Sequence, residues 1–232
     1  MVINGDCLVE MQNIPDGSID MVLCDLPYGT TRNKWDNIIP MAQLWEQYKR
    51  IVKPNGAILL FADGMFMANL MTNCPKGYWR YNLVWVKNKF SDFLNAGIKP
   101  LKKHEEIVVF YGKKPTYNPQ MRGGNPYRAH SAANTTNYGK HKDVVTINNG
   151  TRKPTTVLNF ALDVNKLHPT QKPVALCEWL IKTYTNEGDT VLDNCMGSGS
   201  VGVACKRTNR KFIGIELDKT YFEIAKNRIG NE

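Results

Sequence analysis

The sequence has no uninterrupted apolar run near the roughly 18 residues that a membrane span needs. Its start, Met1-Val2-Ile3-Asn4-Gly5-Asp6, has no basic segment leading into an apolar one. These two absences predict a soluble, cytosolic protein with no membrane partner. There is no Cys-x-x-Cys pair and no His near a cysteine at zinc-ligand spacing. The six cysteines, Cys7, Cys24, Cys74, Cys177, Cys195 and Cys205, are scattered, mostly within apolar runs, which predicts reduced core thiols and no metal site. Repeats, low-complexity tracts, helix-turn-helix and zinc-finger patterns are absent too, so any recognition of a partner falls to loops.

What is present, in 232 residues, is enough for one sizeable α/β core with an insertion and too little for two large domains. Residues 1–6 read as a short strand ending in Asp6, and 19–24 as a second, buried strand. Leu44, Trp45, Tyr48, Ile51 and Val52 have helical spacing, and Pro54-Asn55-Gly56 reads as the stop before a strand over 57–62. Strands are predicted over 81–86 and 106–111. Later, a helix over 173–184 carries Leu176, Trp179, Leu180 and Tyr184 on one face. A strand over 190–193, a helix over 198–206, a strand over 211–216 and a helix over 219–229 follow. This alternation predicts a doubly wound, mostly parallel Rossmann-like sheet.

The net charge of +9 is concentrated in the middle of the chain. Residues 80–172 hold 16 Lys and Arg against 5 Asp and Glu, a surplus of +11, which leaves the rest at −2. The same segment is rich in turn formers, among them Tyr117-Asn118-Pro119, Gly123-Gly124-Asn125-Pro126-Tyr127, Asn134 to Gly139 and Asn148-Asn149-Gly150. A basic, loop-rich insertion with aromatics fits a surface that follows phosphates and stacks on bases. The predicted division is 1–112 with 166–232 as the catalytic domain and 113–165, approximately, as the insertion.

Gly197-x-Gly199-x-x-Gly202 follows a predicted strand and opens a helix, and Glu216 ends the next strand. This is the spacing of a nucleoside-binding fingerprint, whose acidic residue bonds ribose hydroxyls. Asp193 lies directly ahead of the loop. A carboxylate there repels a pyrophosphate and complements a cationic sulfonium or ammonium group, which favours S-adenosylmethionine over a dinucleotide. A nicotinamide- or nucleotide-binding oxidoreductase is the alternative from another class.

Asp25-Leu26-Pro27-Tyr28 follows the apolar run Met21-Val22-Leu23-Cys24. Gly29-Thr30-Thr31 and Lys34-Trp35-Asp36 come next, and His168-Pro169-Thr170-Gln171-Lys172-Pro173 precedes the glycine loop. Together these resemble the DNA amino-methyltransferases, whose motif reads Asp-Pro-Pro-Tyr, and most closely their N6-adenine members. The order, catalytic motif first and cofactor loop last, is that of the permuted β group. In that group residues 1–6 stand in for the third strand, so the termini should lie close together and Asp6 should face the crevice of Asp193 and Glu216.

The resemblance implies transfer of a methyl group from S-adenosylmethionine to adenine N6 in duplex DNA, with the base flipped out of the stack. Asp25 and the backbone carbonyl of Leu26 would accept the two amino hydrogens, Pro27 would stiffen the turn, and Tyr28 would stack on the base. It also implies Asp6 near the cofactor adenine and Lys172 with Thr170 at its methionine carboxylate. The family's cofactor motif, Asp-Pro-Phe-x-Gly-Ser-Gly, appears here as Asp193-Asn194-Cys195-Met196-Gly197-Ser198-Gly199, with Cys195 in place of an apolar wall. His168 as a general base is disfavoured, because the mechanism needs no strong base. Cytosine N4 is the alternative target, although its enzymes usually carry Ser where Asp25 stands. Cytosine C5 is not, since it requires a Pro-Cys nucleophile and Cys74-Pro75 has the order reversed. The permuted group includes dimers, so the resemblance also implies a homodimer as an expectation.

Overall fold

The computed structural model describes residues 1–29, 36–131, 142–164, 167, 168 and 170–232. Thr30-Thr31, Lys34-Trp35, Asn134 to Gly139 and Pro169 of the motifs above lie outside the described residues. The chain forms two compact units, 1–118 with 156–232, and 119–155.

The larger unit begins with β1 (Val2–Asn4), shorter than the sequence predicts. Asp6 does not extend it. Its carboxylate instead accepts from the backbone N–H groups of Leu8 (2.8 Å) and Val9 (3.3 Å) and caps the short helix α1 (Cys7–Glu10). Then come β2 (Ile19–Cys24) and α2 (Met41–Ile51), whose buried face is Leu44, Trp45, Tyr48 and Ile51. The strand β3 (Val52–Ala62) starts at once, earlier than Pro54-Asn55-Gly56 predicts. Ile19 pairs with Val52 and Met21 already pairs with Ala57, so the turn formers are absorbed in a bulge. Gly56 suits that bend: a Cβ there would stand 2.9 Å from the Asp20 carbonyl oxygen and 2.6 Å from Val52 Cγ1.

The helix α3 (Gly64–Asn73) has no counterpart in the sequence prediction. It precedes β4 (Trp79–Ser91) and β5 (Lys102–Phe110), both longer than predicted. In the smaller unit, β6 (Arg122–Gly123) pairs with β9 (Thr151–Arg152), and β7 (Tyr127–Ser131) pairs with β8 (Val144–Asn148), both antiparallel. Arg152 is its internal tie, stacked 4.4 Å over the Tyr127 ring and donating to Asn148 Oδ1 at 2.7 Å. This unit carries six Lys and Arg against one Asp.

The chain rejoins the larger unit at β10 (Val157–Asn159), which pairs parallel to β4 and so belongs to the main sheet, not to the insertion. It ends with α4 (Val174–Tyr184), β11 (Thr190–Asp193), α5 (Ser200–Arg207), β12 (Lys211–Glu216) and α6 (Lys219–Gly230).

Among the described residues the main sheet has the order β1-β12-β11-β2-β3-β5-β4-β10, with β5 alone antiparallel to its neighbours. Residues of α1, α2 and α3 pack on one face, around Val22, Ile58 and Val108. Residues of α4, α5 and α6 pack on the other, around Met21, Leu59 and Val109. Successive residues of one strand thus serve opposite layers, as pleating requires. β1 lies beside β12, and the Met1 ammonium donates to the Phe212 carbonyl at 2.7 Å.

α5 approaches α6 and β12 through Gly202, where a Cβ would meet Ile229 Cδ1 at 2.3 Å and Phe212 Cε1 at 2.8 Å. Gly202→Ala is therefore expected to lower unfolding free energy by about 1–3 kcal/mol through overpacking, read as a lower denaturant midpoint. An unchanged midpoint would show that Ile229 and Phe212 yield freely.

Candidate active site

β11 leads through α5 to β12 on one side of the sheet, and β2 leads through α2 to β3 on the other. The adjacent strands β2 and β11 are therefore the topological switch point, where open α/β sheets form their ligand crevice. Asp25 follows β2 directly and Asp193 ends β11. Glu216 ends β12, and Asp6 lies two residues beyond β1. All four line one cavity of about 690 Å³.

Asp25 is held on both carboxylate oxygens. Oδ1 accepts from the Tyr28 hydroxyl at 3.0 Å, and Oδ2 accepts from Lys172 Nζ at 2.6 Å. Lys172 is buried, 5.0 Å from the centre of the Phe61 ring, and 3.2 Å from Glu105 Oε2. Glu105 Oε1 in turn accepts from Lys87. Two lysines and two carboxylates thus form a neutral, largely buried chain, with Lys172 its most buried member. Burial alone would raise the Glu105 carboxyl, but Lys172 and Lys87 outweigh it and hold it down to about 2. Burial would likewise lower the Lys172 ammonium, yet Asp25 and Glu105 drive it up, so it stays charged. Asp25 is pushed up by burial, opposed by Lys172 and reinforced by Glu105.

Lys172 therefore reaches Asp25, a placement the motif resemblance does not imply. Glu105 and Lys87 are absent from the sequence prediction, although their signal was there. Glu105 continues the same-face alternation of Val109 and Ile107, and Lys87 that of Leu83 and Trp85. All four apolar partners belong to one core layer. Two opposite charges continuing a core-facing row require a buried partner.

Tyr28 stacks on Phe66 of α3 at 4.7 Å between ring centroids, with 23° between planes. One face of its ring is thereby covered. Leu26 is buried, and Gly29, at φ +68°, donates its N–H to Asp36 Oδ1 at 2.8 Å.

On the other side of the cavity, Gly197 and Gly199 adopt φ +49° and +80°, conformations that favour glycine. Glu216 accepts from the Gly197 N–H (2.8 Å) and the Asp218 N–H (2.9 Å), which fixes the loop against β12. Burial pushes the Asp193 carboxyl up to about 7, with Cys24 and the Cys195 N–H opposing and Asp25 and Glu216 adding to the rise. Asn194, where the resembling motif has Pro, is buried and accepts from Tyr48 at 2.6 Å. Cys195 lines the cavity in the place of the motif's Phe.

The segment before α4 straps the two sides together. Gln171 Oε1 accepts from the Leu167 N–H (3.0 Å) and from Ser198 Oγ (3.2 Å), and Gln171 Nε2 donates to Asp163 at 2.9 Å. Thr170 lines the cavity, with its N–H donating to His168 Nδ1 at 3.2 Å. Burial and Lys172 lower the His168 ring below its ordinary value, against a smaller opposing pull from Asp218. Among the aromatics of β4 and its flanks, Trp85 and Phe90 line the cavity. Tyr78 and Tyr81 pack against the core, while Trp79 and Phe93 are exposed. The cysteines are free thiols. Among the described residues no metal-binding cluster is found, and no helix is long and apolar enough to cross a membrane.

A doubly wound sheet with an acidic crevice at its switch point and a glycine loop beside it is the fold of S-adenosylmethionine-dependent methyltransferases. Residues 19–227 match the model of the N6/N4 DNA methylase family, and the chain belongs to that family. It is similar to the type II methyltransferase M.HpaI of Haemophilus parainfluenzae, 29% identical over the whole chain and 74% of that relative. Among solved structures it is similar to the M1.HpyAVI–SAM complex (26% identity, TM-score 0.67, 98% of each chain). It also shares its fold with the cytosine-N4-specific PvuII DNA methyltransferase (14% identity, TM-score 0.70, 99% of this chain and 89% of that one).

The residues present fit the family's cofactor, S-adenosylmethionine. Asp193 offers a buried carboxylate to a cation, and Gly197 lines the cavity without a side chain. Binding a cation beside Asp193 favours its ionised form. The affinity for S-adenosylmethionine is therefore expected to fall as pH drops below about 7 and to level off above it, measured by titration calorimetry. Asp193→Asn should flatten that profile; an unchanged profile would remove Asp193 from the cofactor site.

Lys172→Met would leave two largely buried carboxylates without the ammonium they share, at a cost of about 3 kcal/mol in stability. Asp25, already raised by burial, would rise further without the ammonium. The folded variant would then bind a proton that the unfolded chain does not, so its deficit should shrink as pH falls. Denaturation of both proteins from pH 8 to pH 5 measures this, and a deficit independent of pH would contradict it.

Proposed function

We propose that the chain is a site-specific DNA methyltransferase that methylates adenine N6 in duplex DNA. The observation that carries this reading is Asp25: a carboxylate fixed on both oxygens, in the cavity that also contains Asp193, Glu216 and the glycine loop. S-adenosylmethionine, when bound, supplies an electrophilic methyl group. An exocyclic amine is a poor nucleophile because its lone pair is delocalised into the ring. Asp25 and the Leu26 carbonyl would accept its two hydrogens, drawing the nitrogen towards tetrahedral geometry and freeing the lone pair.

The chemistry then depends on acceptors held in place beforehand, without a covalent enzyme intermediate. Lys172 and Tyr28 hold the carboxylate so that it need not reorganise. Asp25 or water takes the proton released by the methylated nitrogen. Tyr28, backed by Phe66, offers its remaining face to the flipped base. Asp6 stands near the cofactor's adenine in this reading, Glu216 at its ribose, and Thr170 at its carboxylate end. The basic 119–155 unit provides phosphate contacts and target recognition.

Incubation of the protein with S-adenosylmethionine and mixed-sequence unmethylated DNA, followed by nucleoside mass spectrometry and methylation-sensitive sequencing, tests the reading. N6-methyladenine in one short context is expected; N4-methylcytosine would move the target base. Asp25→Asn, which preserves shape and removes charge, should reduce turnover by about 10²–10³-fold. Its affinity for S-adenosylmethionine should stay close to that of the wild type, and retained turnover would sink the assigned role.

A further inference from the structure

The β4–β5 hairpin extends past the cavity into a tip built from a short 3₁₀ turn, Phe93–Asn95, and the residues up to Leu101. Four large apolar side chains stand in solvent here: Phe90 is 62% exposed, Phe93 71%, Leu94 85% and Ile98 84%. The tip is ordered. Asp92 takes the left-handed conformation, φ +71°, and accepts from Asn95 Nδ2 at 2.5 Å while pairing with Lys99. The Asn95 carbonyl accepts from the Ile98 N–H (3.0 Å) and the Lys99 N–H (3.1 Å), and Lys102 pairs with Asp63 at the hairpin base. Local polar contacts thus hold these apolar side chains out in water, where they would not remain by their own preference.

Two observations indicate what covers them. Lys87, Lys89, Phe90 and Ser91 line the same cavity as Asp25, so the tip continues the cavity wall. Lys89 and Lys103, both exposed, flank the apolar residues with positive charge. A second copy of the chain seated here would cover the rim through which a target base must enter. A polyanion with an apolar interior meets both the lysines and the side chains between them.

We propose that this tip is a wedge for duplex DNA. Phe93, Leu94 and Ile98 enter the base stack next to the target nucleotide, and Lys89 and Lys103 meet the flanking phosphates. Insertion of apolar side chains between base steps unstacks and bends a duplex. The wedge would thereby hold open the site from which the base turns into the Asp25 cavity. The inference rests on the base-methylation reading and assigns opening of the duplex to the catalytic unit, separately from the basic 119–155 unit.

The test is the triple variant Phe93→Ser/Leu94→Ser/Ile98→Ser, in which all three positions are exposed and outside the core. It is compared with the wild type on duplex oligonucleotides carrying the context found by sequencing. In one, the target base is paired; in the other, it faces an abasic site and needs little help to leave the stack. The variant should lose at least about tenfold in turnover on the paired duplex. On the abasic duplex it should stay within about twofold of the wild type, with unchanged S-adenosylmethionine affinity. Equal turnover on the paired duplex, or an equal loss on both, overturns the wedge. So does a loss that coincides with a change from dimer to monomer in sedimentation, which would make the tip a contact between copies. Wild-type protein that binds S-adenosylmethionine but methylates no base overturns the reading on which the wedge rests.

Discussion

The site depends on one ion pair, Lys172 with Asp25. In the proposed reading Asp25 serves as an acceptor, and such a carboxylate has two ways to fail: it can pick up a proton, or it can turn away. Lys172 opposes both by keeping the neighbouring charge positive and by fixing Oδ2. The ammonium needs its own anchor, and Glu105, itself held by Lys87, supplies it. The antiparallel strand makes this possible. Because β5 runs against its neighbours, its first residues, and not its last, lie at the edge where β2, β11 and β12 end. Glu105 arrives there from the opposite chain direction.

The same segment that carries Lys172 also reaches the glycine loop through Gln171 and Ser198. Arg228 of α6 closes the arrangement by donating to the Ser198 carbonyl at 3.1 Å and to Ser200 Oγ at 3.2 Å. The Asp25 side and the glycine-loop side of the cavity are therefore coupled by a short run of polar contacts, not by packing alone. Buried polar groups joined in this way favour a single arrangement over several compact alternatives.

The alternation of strands and helices was legible because β2, β11 and β12 are short apolar runs and α2 and α4 repeat their apolar residues at helical spacing. The crevice shared by Asp6, Asp193 and Glu216 followed from motif order. What escaped was what local pattern does not encode. β10 is a short strand with one buried residue, Leu158, and is defined only by its partner β4. α3 has no side-chain N-cap bond, and its sequence carries little amphipathic signal. Pro54-Asn55-Gly56 reads as a stop and is a bulge, since strand pairing with β2 resumes beyond it. Asp6 reads as a strand end and is a helix cap, because its side chain finds two backbone donors within reach. Lys172 is the sharpest case: a motif match located the residue, but only the fold shows that its charge turns towards Asp25.

The 119–155 unit leaves and rejoins the larger one at two anchored points. The Asn118 N–H donates to the Thr183 carbonyl at 2.8 Å, and the Thr156 carbonyl accepts from the Val84 N–H at 2.8 Å. Both anchors are backbone bonds to regular elements, indifferent to the side chains in between. Lengthening the intervening chain adds only a slowly growing closure entropy. The segment is in this sense a cassette: its length and sequence can change while both of its ends stay pinned to the main sheet and to α4.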